Sequence, residues 1–195
     1  MTDRRFPDEV AGPFPVPPVE FVDHAGRSVE VRAYEGSDEE REALVAMYDA
    51  FDPSDRAQGI PPGSESRIRE WLSTILADDC FNVFAWCGDD VAGHATLVPD
   101  DDVYELAIFV HQEYQEAGIG TRLIRGLLGY GRDNGVGRVW LTVERWNTPA
   151  VSLYEKIGFE TSNAESFELE MALRLVDSDG TAGDPSGTAG DPSGT

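Results

Sequence analysis

The sequence predicts an α/β (α+β) fold in which helices cover one mixed β-sheet. Its 195 residues are enough for one domain with a buried core and too few for two full domains. Apolar residues recur with strand-like and then helix-like spacing along the chain. Some strands are joined by short turns and others by helices, which requires antiparallel and parallel neighbours in the same sheet.

The net charge is the most unusual feature of the composition. The chain carries 37 acidic and 15 basic residues, for a formal net charge of -22. Nucleic acids and anionic membranes both require a positive protein surface, so we expect neither as a partner. An acidic surface with Lys156 as the only lysine is typical of a halophilic, cytoplasmic protein, and a cationic substrate is the alternative explanation.

Composition also divides the chain into three segments. Residues 1–27 are rich in proline and predict an extended N-terminal arm. Residues 28–175 are predicted to form the folded domain, and residues 176–195 contain the sequence GTAGDPS twice in tandem. Such a segment has no apolar surface to bury, so we expect a disordered low-complexity tail.

The domain is predicted to open with a strand and two helices. Ser28 to Tyr34 alternate as in a half-buried strand, and Ser37 with Glu40 forms the capping box of a helix to about residue 51. A proline-rich loop, residues 52–63, interrupts the chain and is expected to form part of the acceptor side of a site. The second helix, residues 64–77, has its apolar side chains on one face.

Three strands are predicted next, and helices and strands alternate after them. Cys80 and Cys87 fall on opposite faces of the first strand, so we expect no disulfide between them. His94 lies in an alternating strand, which predicts that it faces solvent. The predicted elements are strands at 80–87, 91–98 and 103–110, a helix at 118–134, a strand at 136–144, a helix at 148–157, and strands near Phe159 and at 166–173.

A glycine-containing segment, Gln115 to Thr121, lies between a predicted strand and a predicted helix. Glycines there allow the backbone to approach a ligand, and the free N–H groups at a helix start favour an anion such as a pyrophosphate. A P-loop is excluded because no Lys-Ser/Thr pair follows. A dinucleotide-binding fingerprint is excluded because Leu123 occupies the position of its third glycine.

Two motifs resemble those of the GNAT superfamily of acetyl-CoA-dependent N-acetyltransferases. Gln115, Gly118 and Gly120 match its motif A, Gln/Arg-x-x-Gly-x-Gly/Ala. Residues Asn147 to Phe159 match its motif B, Asn-x-x-Ala-x-x-Leu-Tyr-x-x-x-Gly-Phe. The resemblance covers residues 29–174 and is strongest from 103 to 159.

This resemblance implies a mixed, mostly antiparallel sheet of about six to seven strands, flanked by about four helices. Its parallel fourth and fifth strands, here those ending near Val110 and Glu144, splay apart to admit acetyl-CoA. Backbone groups of Ile108, Phe109 and Val110 are then expected to bind the pantetheine arm. The pyrophosphate is expected to bind the segment Gln115, Glu116, Ala117, Gly118, Ile119, Gly120 and Thr121.

The same resemblance assigns roles to two residues of motif B. Tyr154 occupies the position of the general acid that protonates the departing CoA thiolate. Asn147 occupies the position of a residue that contacts the cofactor arm. The structural alternatives are a tyrosine ring packed in the core and an asparagine that caps a helix.

The identity of the general base is left open. Many GNAT proteins carry a glutamate five residues before the motif B asparagine, where this sequence has Thr142. Glu105, early on the motif A strand, and Glu144, two residues beyond Thr142 and on the same face, are the carboxylates that can accept the proton of an ammonium group.

These features predict an enzyme that transfers the acetyl group of acetyl-CoA to a primary amine by direct attack in a ternary complex. The acceptor is either a small-molecule amine or a protein or peptide amine, and a homodimer is left open. No metal is expected, because no histidine or cysteine pair has a metal-ligand spacing. The alternatives are a non-catalytic acyl-CoA-binding or regulatory domain and a phosphate-binding nucleotide module.

The charge predicts that stability depends on salt. Like-charge repulsion in the folded chain is relieved by unfolding and screened by ions, so the melting temperature should fall as ionic strength drops from molar to millimolar. Deleting the tail should leave this dependence in place, since it contains only four of the acidic residues, Asp177, Asp179, Asp184 and Asp191. A melting temperature that stays flat would favour the cationic-substrate explanation.

Overall fold

The computed structural model of the chain describes residues 4–53, 61–164 and 167–176. The predicted tail beyond residue 176 and most of the proline-rich loop lie outside these ranges. The strands are β1 (Val19–Val22), β2 (Ser28–Ala33), β3 (Phe81–Cys87), β4 (Asp90–Asp100), β5 (Val103–Val110), β6 (Arg138–Glu144), β7 (Glu160–Ala164) and β8 (Glu168–Arg174). The helices are α1 (Asp38–Asp49), α2 (Glu65–Ile75), α3 (Ile119–Asp133) and α4 (Thr148–Ile157).

The described strands form one sheet in the order β1-β2-β3-β4-β5-β6-β8-β7. All neighbouring strands are antiparallel except the parallel pair β5 and β6, which confirms the predicted mixed, mostly antiparallel sheet. The sheet has eight strands rather than six or seven. The additional strand is β1, a four-residue segment that lies within the predicted arm and directly follows Pro17-Pro18.

The parallel strands β5 and β6 separate soon after they meet. They pair only at Tyr104 with Val139 and at Glu105 with Trp140. On its other edge, β5 stays paired with β4 along its whole length, as far as Val110. Because β5 remains in the sheet while β6 turns away, a gap opens between the two strands toward their carboxyl ends, as predicted.

The sheet separates two apolar cores. Helix α3 packs on one face, where Leu123 and Leu127 are fully buried. Helices α1 and α2 pack on the other face, where Leu44 and Leu72 are fully buried. The chain therefore has helices on both faces of one sheet, and the gap between β5 and β6 connects the two sides.

The helix termini follow the sequence signals. The Ser37 hydroxyl accepts a hydrogen bond from the Glu40 backbone N–H at 3.1 Å, and the Ser37 N–H donates to the Glu40 carboxylate at 3.0 Å, which completes the predicted capping box of α1. Helix α4 begins after Asn147, whose side-chain oxygen accepts from the Ala150 N–H at 3.3 Å. It ends at Gly158, whose φ of 115° places it in the left-handed region that glycine tolerates.

The proline-rich segment before β1 packs on α3. Phe14 is buried, and the guanidinium of Arg125 donates to the Pro13 carbonyl at 3.2 Å. A Cβ at Gly129 would lie 2.1 Å from the Pro15 carbonyl oxygen, so only glycine permits this approach. The arm is thus held against the helix by backbone contact as well as by its aromatic ring.

His94 is buried and does not face solvent, contrary to the sequence prediction. The hydroxyl of Tyr48 lies 2.7 Å from His94 Nδ1, and His94 Nε2 lies 2.8 Å from the Asn82 side-chain oxygen. Asn82 in turn donates to the Ile75 carbonyl at 2.8 Å. Burial lowers the pKa of His94 to about 3, so a neutral ring joins α1, β4, β3 and the end of α2.

Both cysteines are free, and Cys80 lies just before β3 instead of inside it. In the ranges that the structure describes, no group of three or more His, Cys, Asp or Glu side chains converges as a metal site would require. None of the helices described above is long and apolar enough to cross a membrane.

Candidate active site

A cleft of about 490 Å³ occupies the gap between β5 and β6. Residues 105–109 of β5 and 142–144 of β6 form its two sides. Neighbouring elements contribute the remaining described lining residues, which are Trp71, Ile75, Thr96, Val98, Asn147, Ala150, Tyr154 and Glu168. A second cavity of about 480 Å³, near α1 and the turn between β3 and β4, contains none of the sequence-predicted site residues.

The cleft brings together six of the residues to which the sequence assigned chemistry. Both candidate bases, Glu105 and Glu144, line it, as do Tyr154 and Asn147. Ile108 and Phe109 line it from β5. Val110 lies at the end of the same strand, where its carbonyl accepts a hydrogen bond from the Gln115 side chain at 3.1 Å.

The glycine-containing segment adjoins the cleft at the carboxyl end of β5. Glu116 and Gly118 both have positive φ angles, 57° and 84°, which turn the chain sharply into α3. Gly118 is the N-cap of α3, and no side chain caps the first turn. The N–H groups at the start of α3 thus lack a side-chain cap among the described residues, and pyrophosphate binding there stays a prediction.

The turn between β1 and β2 supports this segment from outside. The His24 N–H donates to the Ala117 carbonyl at 3.1 Å, and a Cβ at Gly118 would lie 3.0 Å from the His24 ring. Arg27 donates to the Glu113 carbonyl at 3.0 Å. Ala117 and Ile119 are buried, so the side chains of these two residues anchor the segment in the core while its backbone remains at the surface.

Gly120, in contrast, has room around it. A Cβ at this position would lie 3.7 to 3.8 Å from side-chain atoms of Leu153, Ile108 and Val110, which are ordinary contact distances. Leu153 belongs to α4, and the other two residues belong to β5. A side chain at Gly120 would thus enter the space between these elements without meeting the protein backbone.

Tyr154 projects from α4 and is mostly buried. Its ring packs against Phe159, with centroids 5.8 Å apart. Burial raises the pKa of Tyr154 to about 12, so the hydroxyl keeps its proton at neutral pH. This position is compatible with both interpretations of Tyr154, a general acid and a packed ring. The ring belongs to the core, and the residue also lines the cleft.

Glu105 lies where β5 and β6 last pair, at the closed end of the gap. It is half-buried, and its pKa is raised by desolvation and by the nearby Asp100 carboxylate, against the lowering effect of Arg4. A carboxylate with a raised pKa holds a proton more strongly, which improves it as a base near neutral pH.

Glu144 lies farther along β6, on the same face as Thr142. It is partly exposed, and its partner across the sheet is Glu168 of β8. Thr142, at the position where the motif B resemblance implies a glutamate, also lines the cleft.

The cleft residues that sequence reasoning missed include three on separate elements. Trp71 belongs to the apolar stripe of α2, Thr96 to an alternating strand, and Glu168 to the last strand. Thr96 is buried, and its hydroxyl has no hydrogen-bond partner among the described residues. No local signal separates these residues from core or surface positions, because only the meeting of α2, β4 and β8 at the gap gives them a common site.

Comparison with known sequences agrees with the two motifs. Residues 44–159 match the sequence model of the Acetyltransferase (GNAT) family. A mycothiol acetyltransferase of Corynebacterium glutamicum is 33% identical over 84 residues, which are 42% of this chain and 29% of that protein. The [Ribosomal protein bS18]-alanine N-acetyltransferase of Escherichia coli is 36% identical over 64 residues, 33% of this chain and 43% of that protein. The matched regions thus span less than half the length of these relatives.

Solved structures show the same fold. The GNAT domain of S. lividans PAT superimposes with a TM-score of 0.66 at 16% identity, over 80% of this chain and 96% of that one. The PaiA N-acetyltransferase from Thermoplasma acidophilum, solved in complex with coenzyme A, superimposes with a TM-score of 0.59 at 17% identity, over 74% of this chain and 98% of that one.

The surroundings of Gly120 make it a clean test of the cofactor site. Gly120→Val should fold, because a side chain meets no backbone there, and should weaken acetyl-CoA binding about tenfold or more by occupying the ligand's path. Isothermal titration and a melting curve would be measured together. Gly118→Ala is the contrasting variant, since its positive φ predicts a loss of stability even without ligand. Unchanged affinity in folded Gly120→Val would remove this segment from the cofactor site.

Proposed function

The chain belongs to the Acetyltransferase (GNAT) family, and from this premise we propose that it transfers the acetyl group of acetyl-CoA to a primary amine. The single observation that carries the proposal is the gap between β5 and β6, which contains both carboxylates and the tyrosine of the predicted chemistry. A small-molecule amine and a protein or peptide amine are both compatible with the names of the relatives.

The cofactor is proposed to bind along β5. Beyond Glu105, no described strand pairs with the edge of β5 that faces β6, so backbone groups on this edge can pair with the amides of the pantetheine arm. Of Ile108, Phe109 and Val110, the residues whose backbone N–H groups point to this free edge can donate to the thioester oxygen as negative charge develops on it. The pyrophosphate would then reach the uncapped start of α3.

The reaction is proposed as a direct attack. Glu105 accepts a proton from the acceptor ammonium, and the nitrogen lone pair attacks the thioester carbonyl carbon. The carbon–sulfur bond breaks, and the departing sulfur takes the proton of Tyr154. The nitrogen releases its second proton as the amide forms, which restores the Tyr154 hydroxyl. Glu105 finally returns its proton to solvent.

Two observations favour an enzyme over a domain that only binds acyl-CoA. The carboxylates and the tyrosine lie in the same cleft as the backbone of β5, and a binding domain has no use for a base there. The pKa of Glu105 is also raised, which suits proton transfer better than charge pairing. Release of CoA over a panel of amines and peptides, measured in molar salt, tests the proposal. Acetyl-CoA binding without turnover on any acceptor would favour the binding domain.

Removing the Tyr154 hydroxyl should slow the chemical step. We expect Tyr154→Phe to lower kcat about 10-fold or more, with little change in acetyl-CoA affinity, because the ring that packs on Phe159 is kept. Tyr130→Phe is the matched control, since Tyr130 packs on Phe81 away from the cleft. If Tyr154→Phe keeps the wild-type kcat, Tyr154 has only a packing role in the core.

Replacing each of the two carboxylates separately by glutamine identifies the general base. Because the pKa of Glu105 is raised, wild-type kcat/KM should increase with pH as this group loses its proton. Glu105→Gln should lower kcat by a factor of about 10² to 10⁴ and remove that acidic limb. Glu144→Gln should keep the acidic limb of the kcat/KM profile. If the two variants show the opposite behaviour, the base is Glu144.

A further inference from the structure

We propose that Arg4 of the N-terminal arm is a positioning residue for Glu105. The arm carries the Arg4 guanidinium to the closed end of the cleft, where its positive charge keeps Glu105 as a carboxylate that can accept a proton. This inference rests on the proposed function and names a residue that tunes the same site. Arg4 lies outside both motifs and outside residues 44–159, which match the family model.

Backbone and side-chain contacts hold the arm at the ends of β6 and β8. The Ala11 N–H donates to the Arg174 carbonyl at 2.8 Å, and the Arg174 side chain donates to the Pro7 carbonyl at 2.8 Å. The ring centroid of Phe6 lies 5.2 Å from the guanidinium carbon of Arg138, the first residue of β6. These contacts hold the start of the described chain at the closed end of the gap between β5 and β6.

Arg4 spans the strand that carries Glu105. Its Nη1 donates to the Asp100 carboxylate of β4 at 3.1 Å, and its Nε lies 3.2 Å from the Glu170 carboxylate of β8. Its guanidinium carbon lies 3.5 Å from the centroid of the Trp140 ring, which belongs to β6. Strand β5 lies between β4 and β6 in the sheet. A side chain that contacts both neighbours of β5 therefore lies close to β5 itself.

The strand register places Glu105 beside this charge. Glu105 is paired with Trp140 on one side and with Val98 on the other. Asp100 lies two residues beyond Val98 and thus on the same face of the sheet. Neighbouring strands are about 4.8 Å apart, so the guanidinium over Trp140 is within range of the Glu105 carboxylate. The side chain of Arg4 is 13% exposed, so water and salt screen its charge weakly.

The charged groups around Glu105 are mostly acidic. None of the described residues that line the cleft is lysine, arginine or histidine, and those from α2, Trp71 and Ile75, are uncharged. The titratable and charged groups of the described elements around Glu105 are Arg4 of the arm, Asp100 of β4, Asp102 of the following turn, Arg138 and Glu144 of β6, Tyr154 of α4, and Glu168, Glu170 and Arg174 of β8.

The three arginines of this region neutralise different groups. Arg138 is paired with Asp102, and the Arg174 side chain donates to a carbonyl of the arm. Arg4 is paired with Asp100, whose carboxylate acts on Glu105. Arg4 therefore lowers the negative potential at Glu105 in two ways, through its own charge and through its pairing with that neighbouring acid.

The balance of these effects suits a general base. Desolvation raises the pKa of Glu105, the Asp100 carboxylate raises it further, and Arg4 lowers it. A base works best with a pKa near the operating pH, because a proton that is held too strongly leaves no carboxylate to react. Without Arg4, the pKa of Glu105 would rise further, and a smaller fraction of the enzyme would have a carboxylate at neutral pH.

The experiment compares the pH dependence of kcat/KM in three variants of the arm. Arg4→Gln removes the charge, and Arg4→Lys keeps it without the planar guanidinium. Arg5→Gln is the matched control, because Arg5 is the neighbouring residue and is exposed. CoA release is measured with the best acceptor of the amine and peptide panel. The salt concentration is the lowest at which melting curves show that every variant is folded.

We expect Arg4→Gln to move the acidic limb of kcat/KM to higher pH by about half a pH unit or more, because Glu105 then holds its proton more strongly. On that limb kcat/KM should fall about threefold, and at higher pH it should approach the wild-type value. Arg4→Lys should stay close to the wild-type limb, and Arg5→Gln should match it. Acetyl-CoA affinity should be unchanged, since Arg4 lies at the opposite end of the gap from α3.

The outcomes separate this inference from the function on which it rests. An acidic limb that Arg4→Gln leaves in place, or that Arg4→Lys or Arg5→Gln moves equally, overturns the inference and leaves the acetyltransferase intact. If Glu105→Gln keeps the acidic limb, the base is another group and the inference also fails.

A second measurement tests the inference without turnover. If no acceptor supports CoA release, the proposed function fails, and NMR titration of the Glu105 carboxyl then tests the electrostatic effect of Arg4. The Glu105 signal is identified by its loss in Glu105→Gln. A higher pKa of Glu105 in Arg4→Gln than in the wild type supports the effect, and an equal pKa overturns it.

Discussion

The site depends on one constraint, which is that β5 can pair along its full length on only one edge. Pairing with β4 satisfies that edge up to Val110, whereas pairing with β6 ends at Glu105. Backbone N–H and carbonyl groups away from water need partners, so an unpaired edge inside a domain favours a ligand that supplies them. The cleft follows from where β6 separates from β5, and Tyr154 lines the space that opens there.

The buried contacts behind β5 keep this edge in place. Phe109 packs against Tyr48 and Trp71, with ring centroids 5.6 Å away in both cases. Tyr48 is held by His94, and His94 by Asn82, so α1 and α2 are tied to the strands that support β5. Because Tyr48, His94 and Asn82 each have a hydrogen-bond partner, this network favours one arrangement of the helices over the cleft.

Most of the fold could be predicted from local patterns, and the site only in part. Caps such as Ser37 and Asn147 mark helix starts through contacts within a few residues, so the sequence displays them. The two motifs likewise indicated Tyr154 and the segment around Gly118 as candidate site residues. The place of Thr96 and Glu168 in the cleft could not be predicted, because it arises from strands that meet only in the folded sheet. His94 was misjudged for the same reason, since its partners come from α1 and β3.

The two edges of the described sheet are β1 and β7, and both are short and carry a glutamate. Strand β1 has four residues with the sequence VEFV, and β7 has five with the sequence ETSNA. In concentrated salt, charge repulsion no longer keeps molecules apart, and exposed strand edges become the route to sheet extension between molecules. Brief edges that carry glutamate offer few hydrogen bonds to a second copy. Where concentrated salt screens the negative charge of such a surface, the short edge strands therefore still limit sheet extension between molecules.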